Sequence, residues 1–181
     1  MTARVDVSAN RRARGWSRKA NFARLLWALA WPLFRCSPRP LWGWRRWLLR
    51  LFGARIGRDV HVYPTVRITM PWHLHIGDEA AVGDGAILYA LGRIEIGARA
   101  TVSQYAHLCA GSHDWRDPAR PLIRTPIWVG ADAWVCADAF VGPGVNIGAG
   151  AILGARAVAL RDLPDGMIGQ GNPMVAREIS P

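Results

Sequence analysis

With 181 residues, 51% of them apolar, the chain has the length of one domain plus an appendage and enough apolar content to bury a core, which excludes a chain disordered throughout. A net charge of +10 would draw in nucleic acid if it were spread over the surface. It is concentrated instead: residues 1–55 carry 13 of the 23 Lys and Arg against Asp6 alone, a net +12, while residues 56–181 sum to −2, so no nucleic-acid partner is expected.

The chain divides at residue 53 into a basic, Trp-rich N-terminal helical segment (1–53) and a repetitive domain (54–181). The first 20 residues are polar and arginine-rich, and the apolar run Leu25 to Phe34 is about half the roughly 20 residues that span a bilayer. Neither a signal peptide nor a transmembrane helix is expected. Residues 16–52 interleave Trp16, Trp27, Trp31, Trp42, Trp44 and Trp47 with arginines and predict two short helices broken around Pro32 to Pro40. Within the second, Trp47, Leu48, Leu51 and Phe52 share a face opposite Arg46 and Arg50. Such a segment suits a cap over the exposed edge of the repeats, a peripheral contact with a membrane interface, or both. Cys36, Cys109 and Cys136 are too few and too scattered for a disulfide framework, which fits a reducing cytoplasm.

From residue 54 onward the pattern has a period of six. Val129, Val135, Val141, Ile147 and Leu153 recur at that spacing, four of them followed by glycine, and the phase continues weakly to Ala159. Three earlier runs repeat it: Ile56, Val62 and Ile68; Ile76, Val82 and Leu88; Ile96, Val102 and Leu108. Six is a multiple of the strand period but not of 3.6, and the intervening Gly, Ala and Asp disfavour helix. A solenoid of short strands meets the pattern, with one aliphatic side chain per hexapeptide pointing inward, small residues at corners, and each coil's backbone pairing with the next. The steps from Ile68 to Ile76 and from Leu88 to Ile96 are eight residues and predict swollen corners. The step from Leu108 to Val129 predicts an extruded loop over residues 109–128, in which Asp114 stands where an inward aliphatic belongs and Pro118, Pro121 and Pro126 suit an irregular path.

Over about residues 54–180 this pattern resembles the hexapeptide-repeat family, which implies an all-β, left-handed parallel β-helix with three hexapeptides per coil, four to five coils here. Gly111-Ser112-His113-Asp114 and the following IWVGADAWVCADAFVGPGVNIGAGAILGA resemble the galactoside and maltose O-acetyltransferase branch, and the SHD motif with the Arg- and Trp-rich start is closer still to the colanic acid biosynthesis acetyltransferases. The resemblance implies an O-acetyltransferase that uses acetyl-CoA as acyl donor, works as a homotrimer in the cytoplasm, and acylates a sugar or lipid-linked glycan in exopolysaccharide or other surface-glycan synthesis. It makes His113 the catalytic base, since an alcohol is a poor nucleophile at neutral pH.

Carried over position by position, Trp134, Ala137, Ala155, Leu160, Arg161 and Arg177 fall where the family holds CoA. Arg161 replaces the usual lysine and keeps a charge for phosphate, while Leu160 replaces the usual threonine and loses its hydroxyl. Tyr89 occupies the neighbourhood of the family's sugar-binding asparagine, together with Ala90 and Leu91, which argues against simple galactosides. Tyr89 and Asp114 are the candidate substrate-binding residues, and Asp114 either orients the imidazole or begins a turn with its own backbone. His61, His73, His75 and His107 read as surface or interface residues, and none forms the HxxxxH pair of the zinc-dependent carbonic anhydrases sharing this fold, so no metal is expected. An antibiotic or serine acceptor on the same scaffold, or a non-enzymatic scaffold or membrane-binding module, are the alternative readings.

Overall fold

The structure, a computed structural model, describes residues 5–13 and 15–179. From Arg55 the chain winds as a left-handed β-helix of five complete coils, the upper end of the expected four to five, with a sixth begun. Each coil lays one short strand on each of three parallel sheets. The first coil, for example, contributes Arg55–Ile56 to sheet A, His61–Val62 to sheet B and Arg67–Ile68 to sheet C. The register stacks the inward aliphatics directly: Ile56, Ile76, Ile96, Val129 and Ile147 form one column on sheet A, all buried.

A second inward column was hidden by its residue type. Val60, Ala80, Ala100, Ala133 and Ala151, two positions before the sheet B aliphatics Val62, Val82, Val102, Val135 and Leu153, are also buried, a mostly small second side chain, whereas the same position on sheet A holds the larger Leu74, Ile94 and Ile127. The eight-residue steps become the 3₁₀ turn Pro71–His73 and the turn at Leu91 and Gly92. Where sheet A passes to sheet B, Asp59, Glu79, Arg99 and Asp132 stack with positive φ, continued by Gly150 and Gly166.

Beside that corner Gly57, Gly77, Gly97, Gly130 and Gly148 form a column in close contact with the next coil. A Cβ on Gly97 would lie 2.5 Å from the Ala131 nitrogen. Gly97→Ala is therefore expected to destabilise the fold by about 2 kcal/mol, since backbone cannot swing aside as a flexible side chain would. Differential scanning calorimetry should show the lowered midpoint.

Three helices precede the coils: α1 (Val7–Arg12), α2 (Arg18–Arg35) and α3 (Trp42–Leu51). The expected pair of short helices is corrected in one respect: α2 is 18 residues long and runs through Pro32 to Arg35, because a proline in the last turn removes one bond without breaking the rest. The inward face of α3 is also different from the expected one. Arg45, Leu48 and Leu49 are buried and Phe52 packs against the core, whereas Trp47 and Leu51 face solvent.

The helices close the open end of the prism with one side chain for each sheet. Arg50 donates to the Ile56 carbonyl at 2.7 Å, Arg45 to the Val62 carbonyl at 2.6 Å and the Trp27 indole to the Ile68 carbonyl at 2.8 Å. These acceptors belong to the first-coil strands, which have no coil before them to pair with.

Candidate active site

The long corner between sheets C and A, between the third and fourth coils, leaves the prism as an antiparallel hairpin of Ser112–His113 and Leu122–Ile123. His113 is exposed on it, and its Nδ1 lies 2.6 Å from the Arg120 carbonyl. A carbonyl only accepts, so Nδ1 donates, and in the neutral ring this tautomer places the basic lone pair on Nε2. Arg120 has a positive φ of 46° at the loop's return, and its carbonyl also accepts from Asn10 Nδ2 at 2.9 Å.

Helix α1 thus becomes a wall of the site, which nothing in the sequence pattern announced. Asn10 reaches the Ala119 carbonyl as well, and the Asp6 amide donates to the Pro118 carbonyl at 2.8 Å. Val5, Val7, Asn10, His113 and Arg120 line a cleft of about 300 Å³. Three larger clefts lie elsewhere, two of about 680 Å³ on the outer face of sheet A and beside α2 and α3, and one of about 660 Å³ between Trp31 and Tyr105. The His113 cleft holds the candidate chemistry despite its size, because it alone of the four contains an imidazole oriented by a hydrogen bond.

Asp114 does not orient His113. Its Oδ1 accepts from the Arg116 amide at 3.0 Å, starting a turn with its own backbone, and the Arg120 carbonyl takes the orienting place. Tyr89 ends the second-coil strand of sheet C, opposite Cys109, and is partly exposed on the side from which the His113 hairpin departs.

The residues matched to the donor site fall into two groups. Trp134 lies on the outer face of sheet B, 48% exposed, and its indole donates to Ser103 Oγ at 2.8 Å. Ala137 and Ala155 occupy successive coils at the corner from sheet B to sheet C, where the Arg156 amide donates to the Ala137 carbonyl. Leu160 and Arg161 are instead exposed at the corner from sheet C to sheet A, on the same edge as His113 and two coils further on. Arg177 is exposed on the terminal strand Val175–Glu178, antiparallel to Met167–Gln170 and opposite Ile168. Within one chain, sheet C separates the Trp134 group from His113.

The other histidines have separate structural settings. His61 stacks on Trp42 at 4.4 Å, and His73 Nδ1 donates to the Ala90 carbonyl. His75 lies 3.9 Å from Glu95. His107 is half-buried on sheet C, edge-on to Phe140, with no hydrogen-bond partner for its buried Nε2 among the described residues. Burial pushes the His107 imidazole below its ordinary range. His75 is lowered too, by burial first and then by Arg55 and Arg93, with Glu95 opposing.

The unfolded chain therefore takes up protons at these two sites at a higher pH than the folded one. Stability is expected to decline as pH falls below the ordinary imidazole value of 6.5. His107→Gln should lessen that decline in melting midpoints taken between about pH 7 and 5, where imidazole is the side chain that titrates. Asp78 and Asp132 do not interfere, because hydrogen bonds from Arg58 and Arg99 respectively hold both carboxylates below their ordinary 3.8.

No protein-family model matches the chain. It is 47% identical over 152 residues to the "Putative colanic acid biosynthesis acetyltransferase WcaF" of Escherichia coli K12, covering 84% of both chains, and equally so to its Shigella flexneri counterpart. Among solved structures, it superposes on a galactoside acetyltransferase in complex with coenzyme A with a TM-score of 0.84 at 22% identity, covering 91% of this chain and 84% of that one. A hexapeptide-repeat acetyltransferase of Vibrio cholerae complexed with acetyl coenzyme A gives 0.83 at 21%, covering 92% of both. A maltose O-acetyltransferase of Clostridium difficile gives 0.82 at 20%, covering 90% and 88%. These structures share the fold, and the much higher identity to the enterobacterial proteins settles the branch: the chain belongs to the hexapeptide-repeat acetyltransferases of the colanic acid biosynthesis type.

Proposed function

We propose that the chain transfers acetyl from acetyl-CoA to a sugar hydroxyl in surface-glycan synthesis, in the cytoplasm and as a homotrimer, with His113 as base. The observation that carries the reading is the imidazole whose Nδ1–H is held by the Arg120 carbonyl, with Nε2 available. Nε2 takes the acceptor hydroxyl proton as the oxygen attacks the thioester carbonyl carbon. The tetrahedral adduct collapses with loss of the C–S bond, and the imidazolium returns the proton to the departing sulfur. The galactoside acetyltransferase and the Vibrio acetyltransferase are described with coenzyme A and acetyl coenzyme A respectively, which supports the donor.

The separation of the two groups of donor residues supports the assembly. Trp134, Ala137 and Ala155 of one chain meet His113, Leu160 and Arg161 of another if prisms associate edge to edge. The small side chains of Ala137 and Ala155 let a pantetheine arm lie against backbone, and Arg161 supplies a guanidinium for phosphate.

Mixing two inactive variants tests the shared site. Ala155→Trp should block acetyl-CoA binding in calorimetry, and His113→Ala should bind it without turnover. Unfolded and refolded together in equal amounts, the two should recover about a quarter of wild-type activity, through the sites that pair one intact half from each variant. Mixtures as inactive as their components would rule out a site shared between chains.

A further inference from the structure

We infer that the outward faces of α2 and α3 form one surface that seats the protein on an anionic lipid bilayer, lying in the interface without crossing it. Helix α2 has two apolar faces. One packs Trp27 and Phe34 into the core, and the opposite one presents Phe22, Leu25, Leu29 and Leu33 to solvent at one-turn and two-turn spacing, with Leu29 70% exposed. No coil of the prism covers that second face.

The surface continues onto α3. The Trp44 indole donates to the Leu33 carbonyl at 3.0 Å, which fixes the two helices side by side, and Trp44 stacks on Trp47 with centroids 5.0 Å apart. At the other end, Leu26 of α2 and Leu51 of α3 line the same cleft of about 680 Å³, with Lys19 at its edge. Apolar side chains on both helices therefore belong to one exposed area, of a kind that marks an interaction site on a folded protein.

Charge chooses the occupant. No acidic residue occurs between Asp6 and Asp59, and Arg18, Lys19, Arg24 and Arg35 are exposed around the apolar stripe of α2. Two copies meeting through this face would bring like charges together, which disfavours self-association. An anionic headgroup layer neutralises the basic rim while the leucines enter the acyl boundary and the indoles lie at headgroup depth. No helix among the described residues is long and apolar enough to cross a membrane, which leaves the surface mode.

The full chain should co-sediment with phosphatidylcholine vesicles containing roughly 30% phosphatidylglycerol and bind pure phosphatidylcholine far more weakly, as expected when a basic rim adds to apolar burial. Leu25→Glu/Leu29→Glu alters solvent-facing side chains, so it should keep the wild-type melting midpoint and lose at least about tenfold in partitioning. Arg18→Gln/Lys19→Gln/Arg35→Gln should lose on the order of 100-fold toward anionic vesicles and depend less on salt than wild type. Three results would overturn the inference: no sedimentation of wild type with anionic vesicles, unchanged binding by the leucine double variant, or lipid-free self-association in sedimentation velocity that this variant abolishes. Binding to vesicles is measured without acetyl-CoA or acceptor, so its outcome is independent of whether the proposed reaction is right.

Discussion

His113→Ala should lower the turnover number for acetyl transfer by roughly 10²–10⁴-fold while leaving the dissociation constant for acetyl-CoA within about twofold of wild type. The split follows from geometry. The imidazole stands on the hairpin of Ser112–His113 and Leu122–Ile123, outside the stacked coils, and its one hydrogen bond among the described residues is to the Arg120 carbonyl. Removing it deletes a proton acceptor without taking a strut from the prism, so the melting midpoint should move little. His113→Gln should be nearly as inactive, because an amide nitrogen can donate to the Arg120 carbonyl but offers no basic lone pair. A fall in acetyl-CoA affinity equal to the fall in turnover would instead make His113 a binding residue. Stopped-flow thiol detection with calorimetry on the same preparations separates the two.

The largest structural effect is expected at Arg45. Its guanidinium is fully buried and meets carbonyl oxygens rather than a carboxylate: Val62 at 2.6 Å, Pro38 at 2.9 Å and Arg39 at 2.6 Å. It also donates to Ser37 Oγ, and the Trp42 ring lies 4.6 Å from its central carbon. The arginine ties the first coil to the turn between α2 and α3, satisfying acceptors from both. Arg45→Met keeps the apolar stem and strips the donors, leaving several buried carbonyls unpaired, at a cost of about 3 kcal/mol or more. Arg45→Lys should also be costly, because one ammonium cannot reproduce the planar fork reaching four acceptors. Chemical denaturation of both variants, with methionine no better than lysine, would support hydrogen bonding over packing as the reason for this residue.

Much of the fold was legible because the inward aliphatics are large and their spacing is strict. Ile76, Val82 and Leu88 need no alignment to be seen as a series, and all three are buried. The alternating column of Val60, Ala80 and Ala100 was not legible, since alanine serves equally well at corners and in a narrow interior. Arg45 was invisible for a similar reason. Arginine is rarely buried without an acidic partner, so the helix period placed the arginines outward and the tryptophan and leucines inward. Trp47 and Leu51 in fact point out, and that inversion exposes the face proposed to meet lipid.

At the site, His113 could be read from a motif and from the break in the repeat. Its orienting group could not, because the Arg120 carbonyl belongs to the backbone and backbone has no sequence signature. The contribution of α1 was missed for a related reason. Asn10 and Asp6 act by donating to carbonyls some 110 residues away in the chain, and their segment reads only as polar and basic.

Thiol release from acetyl-CoA, followed across soluble activated sugars and lipid-linked glycan acceptors, tests the central claim most directly. The wild-type chain should release CoA only when an acceptor is present, with one acetyl ester formed per thiol and no release by His113→Ala. Tight acetyl-CoA binding with no acceptor-dependent release, or equal release by His113→Ala, would contradict it.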